Sequence, residues 1–232
     1  MRSSLGISAF ALAGLLTLAS ATALDGAVLK RIAKVGDTLK YKTKADLDLR
    51  GSTASFSYEI TEKVTDVKSD GTYTYESKST QGKIAYGGQT SAQADAASTL
   101  TCTPQGKLVL YISSQDDPNI YRLLNLELLH FSTDPVKVGD SWDVSLPKDD
   151  RGAVDVKGTC KLEAEEQTLG HDTYRIHVEL KEGVDQNPAS EDAMYWIDTK
   201  DGSLVKLSGT WTNAPWPSPI GPATTKVTMI RE

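Results

Sequence analysis

Phe56-Ser57-Tyr58-Glu59-Ile60-Thr61-Glu62-Lys63-Val64 sets large side chains at every second position for its first half and returns to that phase at Val64. A strand turns successive side chains to opposite faces, so a period of two puts Phe56, Tyr58, Ile60 and Val64 on one side. Val67 falls out of phase, and one extra residue near Thr65-Asp66, a β-bulge, absorbs the slip. Ser69-Asp70-Gly71 follows as a hairpin turn, because glycine tolerates positive φ, and Tyr73 and Tyr75 resume the alternation.

The same design returns later in the chain. Lys34-Val35-Gly36-Asp37 recurs as Lys137-Val138-Gly139-Asp140, and each copy leads into a strand start, Leu39 and Tyr41 in the first and Trp142 and Val144 in the second. A repeated tetrapeptide alone means little; the order of later matches means more. Thr72-Tyr73 answers to Thr173-Tyr174, and Gly106-Lys107-Leu108-Val109 to Gly202-Ser203-Leu204-Val205. The offset shrinks from 103 to 101 to 96, as loop deletions would make it. The expectation is two related units in tandem, about 30–112 and 133–212. In the second, Val154, Val156, Cys160 and Leu162 share one parity, Gly170-His171-Asp172 supplies a turn, and Tyr174, Ile176, Val178 and Leu180 return. Tyr195 to Ile197, a turn at Asp198 to Gly202, and Leu204 to Trp211 continue the sheet. A last strand, Thr224 to Ile230, has no counterpart in the first unit.

One helix stands between the units. Asp117 can cap its free N–H groups, and Pro118 loses nothing at the first helical position, where its missing N–H would have no partner. Ile120, Leu123, Leu124, Leu128 and Phe131 follow helical spacing, which carries the helix to about Phe131, and Leu126 and Leu129 widen its apolar surface. A plug or cover over a curved sheet satisfies that surface; the competing reading is a mobile lid over an apolar cavity. Ser77 to Thr99, poor in large apolar groups, reads as a long loop with an edge strand near Lys83 to Tyr86. Trp211 to Pro222 reads as a stiff, proline-rich loop that either holds Trp216 out from the sheet edge as a contact residue or folds it back onto its own hairpin; with the concave face of the sheet, Trp211 and Trp216 are the candidate ligand-binding residues.

Residues 1–23 pair Arg2 with an apolar run from Leu5 to Leu18 and end in Ala21-Thr22-Ala23, the three-part pattern of a cleaved secretory signal. The run is broken by Ser8, Thr17 and Ser20, short of the about 20 apolar residues a span needs. An exported chain, periplasmic or extracellular and not transmembrane when mature, is expected. Without the leader it holds 24 Lys and Arg against 31 Asp and Glu, and no basic stripe for nucleic acid. Export also favours pairing of Cys102 with Cys160, against the alternative of two separate buried thiols.

Catalytic chemistry finds no anchor. His130, His171 and His177 read as surface or capping residues, and no Gly-x-Ser-x-Gly elbow, phosphate loop, His-Glu-x-x-His or Cys-x-x-Cys occurs. Asp198 to Gly202 looks like half a calcium loop but lacks the downstream acidic ligand, so no metal and no cofactor is expected.

Val-Gly-Asp followed by an aromatic strand start, the hairpin from Val67 to Tyr73 and the turn and strand from Asp198 to Val205 resemble a loose group of exported bacterial β-proteins of unknown function. That group is similar in design to the lipoprotein-carrier (LolA/LolB-like) architecture, a curved antiparallel sheet wrapped around helices. The resemblance implies no catalytic residues. The fold expected is mainly β, an antiparallel curved sheet or two half-barrels from a tandem duplication, with one helix at the junction. Its parts are a leader at 1–23, a first β unit at 24–112, a connecting helix at 113–135 and a second β unit at 136–232. The function expected is a non-catalytic envelope protein that binds a lipid, another apolar ligand or an envelope protein. A structural module pairing through its sheet edges, and a hydrolase, are the alternatives.

Overall fold

A computed structural model describes residues 26–49, 51–114, 117–184, 186–217 and 220–232; the leader expected at 1–23 lies outside them. The strands are β1 (Thr38–Asp48), β2 (Thr53–Val67), β3 (Tyr73–Tyr86), β4 (Gln89–Ala92), β5 (Ala96–Cys102) and β6 (Leu108–Ser113), then, after helix α1 (Pro118–Glu127), β7 (Ser141–Leu146), β8 (Val156–Thr168), β9 (His171–Glu182), β10 (Ser190–Asp198), β11 (Leu204–Trp216) and β12 (Gly221–Arg231). All join one antiparallel sheet in the order β6-β5-β3-β2-β1-β12-β11-β10-β9-β8-β7, with β4 paired to β3. The sheet is curved and stays open, mainly β with one helix, as the alternation predicts. In β1, Tyr41, Thr43, Ala45 and Leu47 are buried while Lys40, Lys42, Lys44 and Asp46 face water.

The bulge read from Val67 is present: the β2–β3 register slips between Val64 and Asp66. A second slip falls between Leu162 and Ala164 in the β8–β9 pair. The two Lys-Val-Gly-Asp segments fold into the same turn. Gly36 N donates to Val64 O (2.9 Å) and Gly139 N to Leu162 O (2.7 Å); Lys34 N donates to Asp37 Oδ2 (2.9 Å) and Lys137 N to Asp140 Oδ2 (2.8 Å). Val35 and Val138 are both exposed. Along the sheet, β6-β5-β3-β2-β1 and β11-β10-β9-β8-β7 run in the same relative order, with β12 inserted between them.

Several expectations give way. The second hairpin turns on Leu169 and Gly170, both at positive φ, so His171 and Asp172 already belong to β9. Ser77 to Thr99 is mostly strand: β3 extends to Tyr86 and folds back through Gly87-Gly88 into β4. Its stability comes from backbone pairing with β2, which needs no apolar side chains. The proline-rich stretch is likewise paired, Ala214 with Ala223, Pro215 with Pro222 and Trp216 with Gly221. β10 ends its pairing at Thr212 and β1 at Thr224, so both prolines lie where no third strand calls for their missing N–H. Asp117 caps α1 as predicted by accepting from Asn119 N (2.9 Å), but the helix stops at Glu127. Beyond it the chain straightens, and Phe131 N donates to Gln105 O (2.9 Å).

Cys102 and Cys160 are free and fully buried, which corrects the predicted disulfide. β5 and β8 are each the second strand from opposite edges of the sheet, and each thiol sits in its own apolar cluster. Cys102 lies among Val64, Tyr75, Leu100 and Leu108, and Cys160 in the larger cluster with Leu126, Leu162 and Ile176.

Candidate functional site

The curved sheet and α1 leave a cavity of about 670 Å³ between them. Its wall is built by parity. Tyr58, Ile60, Glu62 and Val64 are the inward residues of β2, and Leu39 and Tyr41 those of β1. Leu207, Trp211 and Thr225 come from β11 and β12, and α1 roofs the space with Ile120, Leu123, Leu124 and Glu127.

The helix is fixed on both flanks. Arg122 forks onto Glu182, Nε to Oε1 at 2.8 Å and Nη2 to Oε2 at 2.6 Å, with no part of the Glu182 side chain exposed. Tyr195 Oη donates to the Glu127 carbonyl (2.9 Å), and Tyr121 Oη donates to the Tyr111 carbonyl (3.2 Å). Tyr121, Leu124 and Leu128 pack against the first-half cluster and Leu123 and Leu126 in the second. These ties make α1 a cover for the sheet.

Both candidate tryptophans line the cavity, so they face inward rather than out from an edge. Trp216 Nε1 donates to Thr225 Oγ1 (2.8 Å). Trp211 is 2% exposed, and its Nε1 has no hydrogen-bond partner among the described residues.

Two glutamates in the wall were missed at the level of sequence. Burial pushes the Glu127 carboxyl up to about 7, with no cation opposing it. Burial likewise pushes Glu62 up to about 7, against a weaker pull from Arg31. That guanidinium is already engaged: Nη1 donates to Ile32 O (2.9 Å) and Asp201 O (3.1 Å) and meets the Asp201 carboxylate at 3.3 Å, and Nη2 lies 3.8 Å from Asp37. Glu191, 2% exposed, is held well above the carboxylate range by burial. It shares Tyr195 Oη at 2.6 Å with the Glu127 carbonyl. One hydroxyl has one hydrogen, so a protonated Glu191 donating to Tyr195 satisfies both contacts. The signal for Glu62 was its parity with Tyr58 and Ile60. For Glu127 it was a place four residues after Leu123 and three after Leu124, on the apolar face.

The histidines do not converge. His130 is buried, not at the surface, with Nε2 3.1 Å from Asn125 O; His171 Nδ1 meets Asp198 Oδ2 and His177 Nε2 meets Asp192 Oδ1, each at 2.9 Å. Asp198 to Gly202 is a turn closed by Gly202 N donating to Asp198 O (2.9 Å), and the Asp198 carboxylate also lies 3.6 Å from Arg231. No group of three or more metal-ligating side chains occurs among the described residues. No helix among them is long and apolar enough to cross a membrane.

No protein-family model and no curated protein matches the sequence. Among solved structures, a DUF1329 family protein from Desulfovibrio piger is 12% identical over 84% of each chain, with a TM-score of 0.24. An outer membrane lipoprotein-sorting protein domain from Vibrio parahaemolyticus is 9% identical over 84% of this chain and 83% of its own, also at 0.24. Likeness that loose assigns neither a family nor a function.

Proposed function

We propose that this chain is an exported, non-catalytic binding protein that holds an apolar ligand in the cavity beneath α1. The observation that carries the reading is the cavity itself. At about 670 Å³ it falls within the roughly 300–1,000 Å³ typical of small-molecule sites, and its wall is mostly apolar and aromatic with few polar groups. A densely packed interior leaves few voids larger than a water molecule, so a space of this size under a pinned helix is a built feature. Export to the periplasm or beyond rests on the leader pattern at 1–23.

Edge pairing with a partner strand is the weaker reading. On the β6 edge the Val109 carbonyl is taken by Arg151 Nη1 (2.7 Å) and the Tyr111 carbonyl by Tyr121, which leaves fewer groups to pair.

The test is native mass spectrometry of protein purified from its host envelope, together with fluorescence titration using the neutral apolar probe N-phenyl-1-naphthylamine. A retained apolar molecule, or saturable probe binding lost in a cavity-filling Leu123→Trp variant, supports the proposal. A bare chain that also leaves the probe dark overturns it.

A further inference from the structure

The cavity wall is apolar over most of its area and yet holds the Glu127 carboxyl, which no cation opposes, while Glu62 and Asp37 in the same wall share the single guanidinium of Arg31. Glu127 hangs from the roof, and the ionisable groups it acts on are all acidic: Tyr58 from β2, and Tyr195 and Glu191 from β10. Glu62 stands on β2, and the guanidinium nearest to it, Arg31, is spread over two carboxylates and two carbonyls. A carboxyl brought out of water without a partner is costly, and folding tolerates it only when something else supplies the charge or the hydrogen bonds.

We propose that the ligand of this cavity is a cationic amphiphile, an apolar chain ending in an amine, whose ammonium group seats against Glu127. The inference rests on the apolar-cavity reading above and adds the charge of the head group. Tyr58 and Tyr195, both coupled to Glu127, are among the tyrosines that line the cavity, and aromatic rings favour a cation over an anion. A fatty acid of equal length would bring a second anion beside Glu127, and the guanidinium in the wall, Arg31, already meets Asp37 and Asp201. An ammonium–carboxylate contact forms a charge-assisted hydrogen bond instead. Seating the ammonium favours the ionised carboxyl. Below neutral pH, where burial keeps the empty site's Glu127 protonated, each amine bound therefore expels up to one proton to solvent.

The experiment compares three probes of one chain length, decylamine, decanol and decanoate, by isothermal titration calorimetry on the full mature chain, below their aggregation concentrations. Decylamine is expected to bind at least about tenfold more tightly than decanoate, with decanol between them. At pH 6, decylamine binding is expected to release protons, read from runs in buffers of different ionisation enthalpy. Glu127→Gln is expected to abolish both the proton release and the preference for decylamine over decanol. Decanoate binding as tightly as decylamine, or a Glu127→Gln protein that still prefers the amine, overturns the charge assignment and leaves the apolar cavity intact. If none of the three binds, the cavity reading falls with it. The wild-type comparison decides the matter even if the variant does not fold.

Discussion

The guanidinium of Arg122 forks onto the carboxylate of Glu182, two bonds of 2.8 and 2.6 Å joining the helix to the last residue of β9. Glu182 Oε2 also accepts from Ala189 N (2.9 Å), so one buried carboxylate ties helix, strand and loop. Removing the guanidinium leaves that charge without its partner. Arg122→Ala is expected to lose about 3 kcal/mol of stability, read by urea unfolding, with Arg122→Lys recovering only part because a point charge cannot make the fork. A loss below about 0.5 kcal/mol would mean that the apolar face alone seats α1.

Glycines at two kinds of turn separate backbone strain from crowding. Gly36 and Gly106 both have positive φ, 93° and 85°, but a Cβ at Gly36 meets open space whereas one at Gly106 overlaps the carbonyl of Leu129. Gly36→Ala is expected to cost about 1 kcal/mol and Gly106→Ala about 3 kcal/mol, because only the second must also push the chain that follows α1 away from the β5–β6 turn. Equal costs in denaturant unfolding would remove that close approach from the account.

The cavity carboxyls make stability depend on pH in an uncommon direction. Glu62 and Glu127 are pushed up to about 7 in the folded chain from an ordinary 4.5. Between those values the folded state keeps protons that the unfolded state has given up. Their contribution is therefore fully present below about pH 4.5 and is lost as pH rises through 7. Burial lowers the pKa of His130, which acts oppositely as pH falls below about 6.5. Comparing wild type with the Glu62→Gln, Glu127→Gln double variant isolates the carboxyls. The variant should melt higher at pH 8 and alike at pH 4.5, and parallel melting curves across that range would refute the assignment.

Two buried thiols should behave as spectators. Burial pushes Cys102 up to about 12 and raises Cys160 as well, and the thiolate is the reactive form. The native protein is expected to leave Ellman's reagent uncoloured at pH 8, then to yield two thiols per chain in guanidinium without reductant. Finding none after unfolding would restore the Cys102–Cys160 bond.

What the sequence made legible was local. A residue out of phase, Val67, was enough to place a bulge at Thr65-Asp66, because parity is a property of neighbours. The Asp117-Pro118 start of α1 was readable for the same reason, whereas its end was not. Leu128, Leu129 and Phe131 keep helical spacing, and what straightens them is a bond to Gln105, which lies more than twenty residues earlier. Ser77 to Thr99 hid its strands because small polar side chains carry no period, although their backbones pair as well as any. Trp211 and Trp216 were singled out for a reason that failed, exposure on a loop, and yet both line the cavity. The void is a sum over eight strands and a helix, so no window of sequence contains it. Glu62 and Glu127 belong to apolar faces by spacing, a clue that the reading of those faces through their large apolar residues passed over.

The latest strand in chain order, β12, occupies the middle of the sheet, paired with β1 on one side and β11 on the other. Until residues 221–231 arrive, β1 and β11 are each a raw border and the two halves have no shared ladder. Completion thus waits on a contact between strands nearly two hundred positions apart, a high contact order that makes assembly slow. A growing or translocating chain would spend that interval as two unfinished halves, and a helper that shields such borders would matter most then.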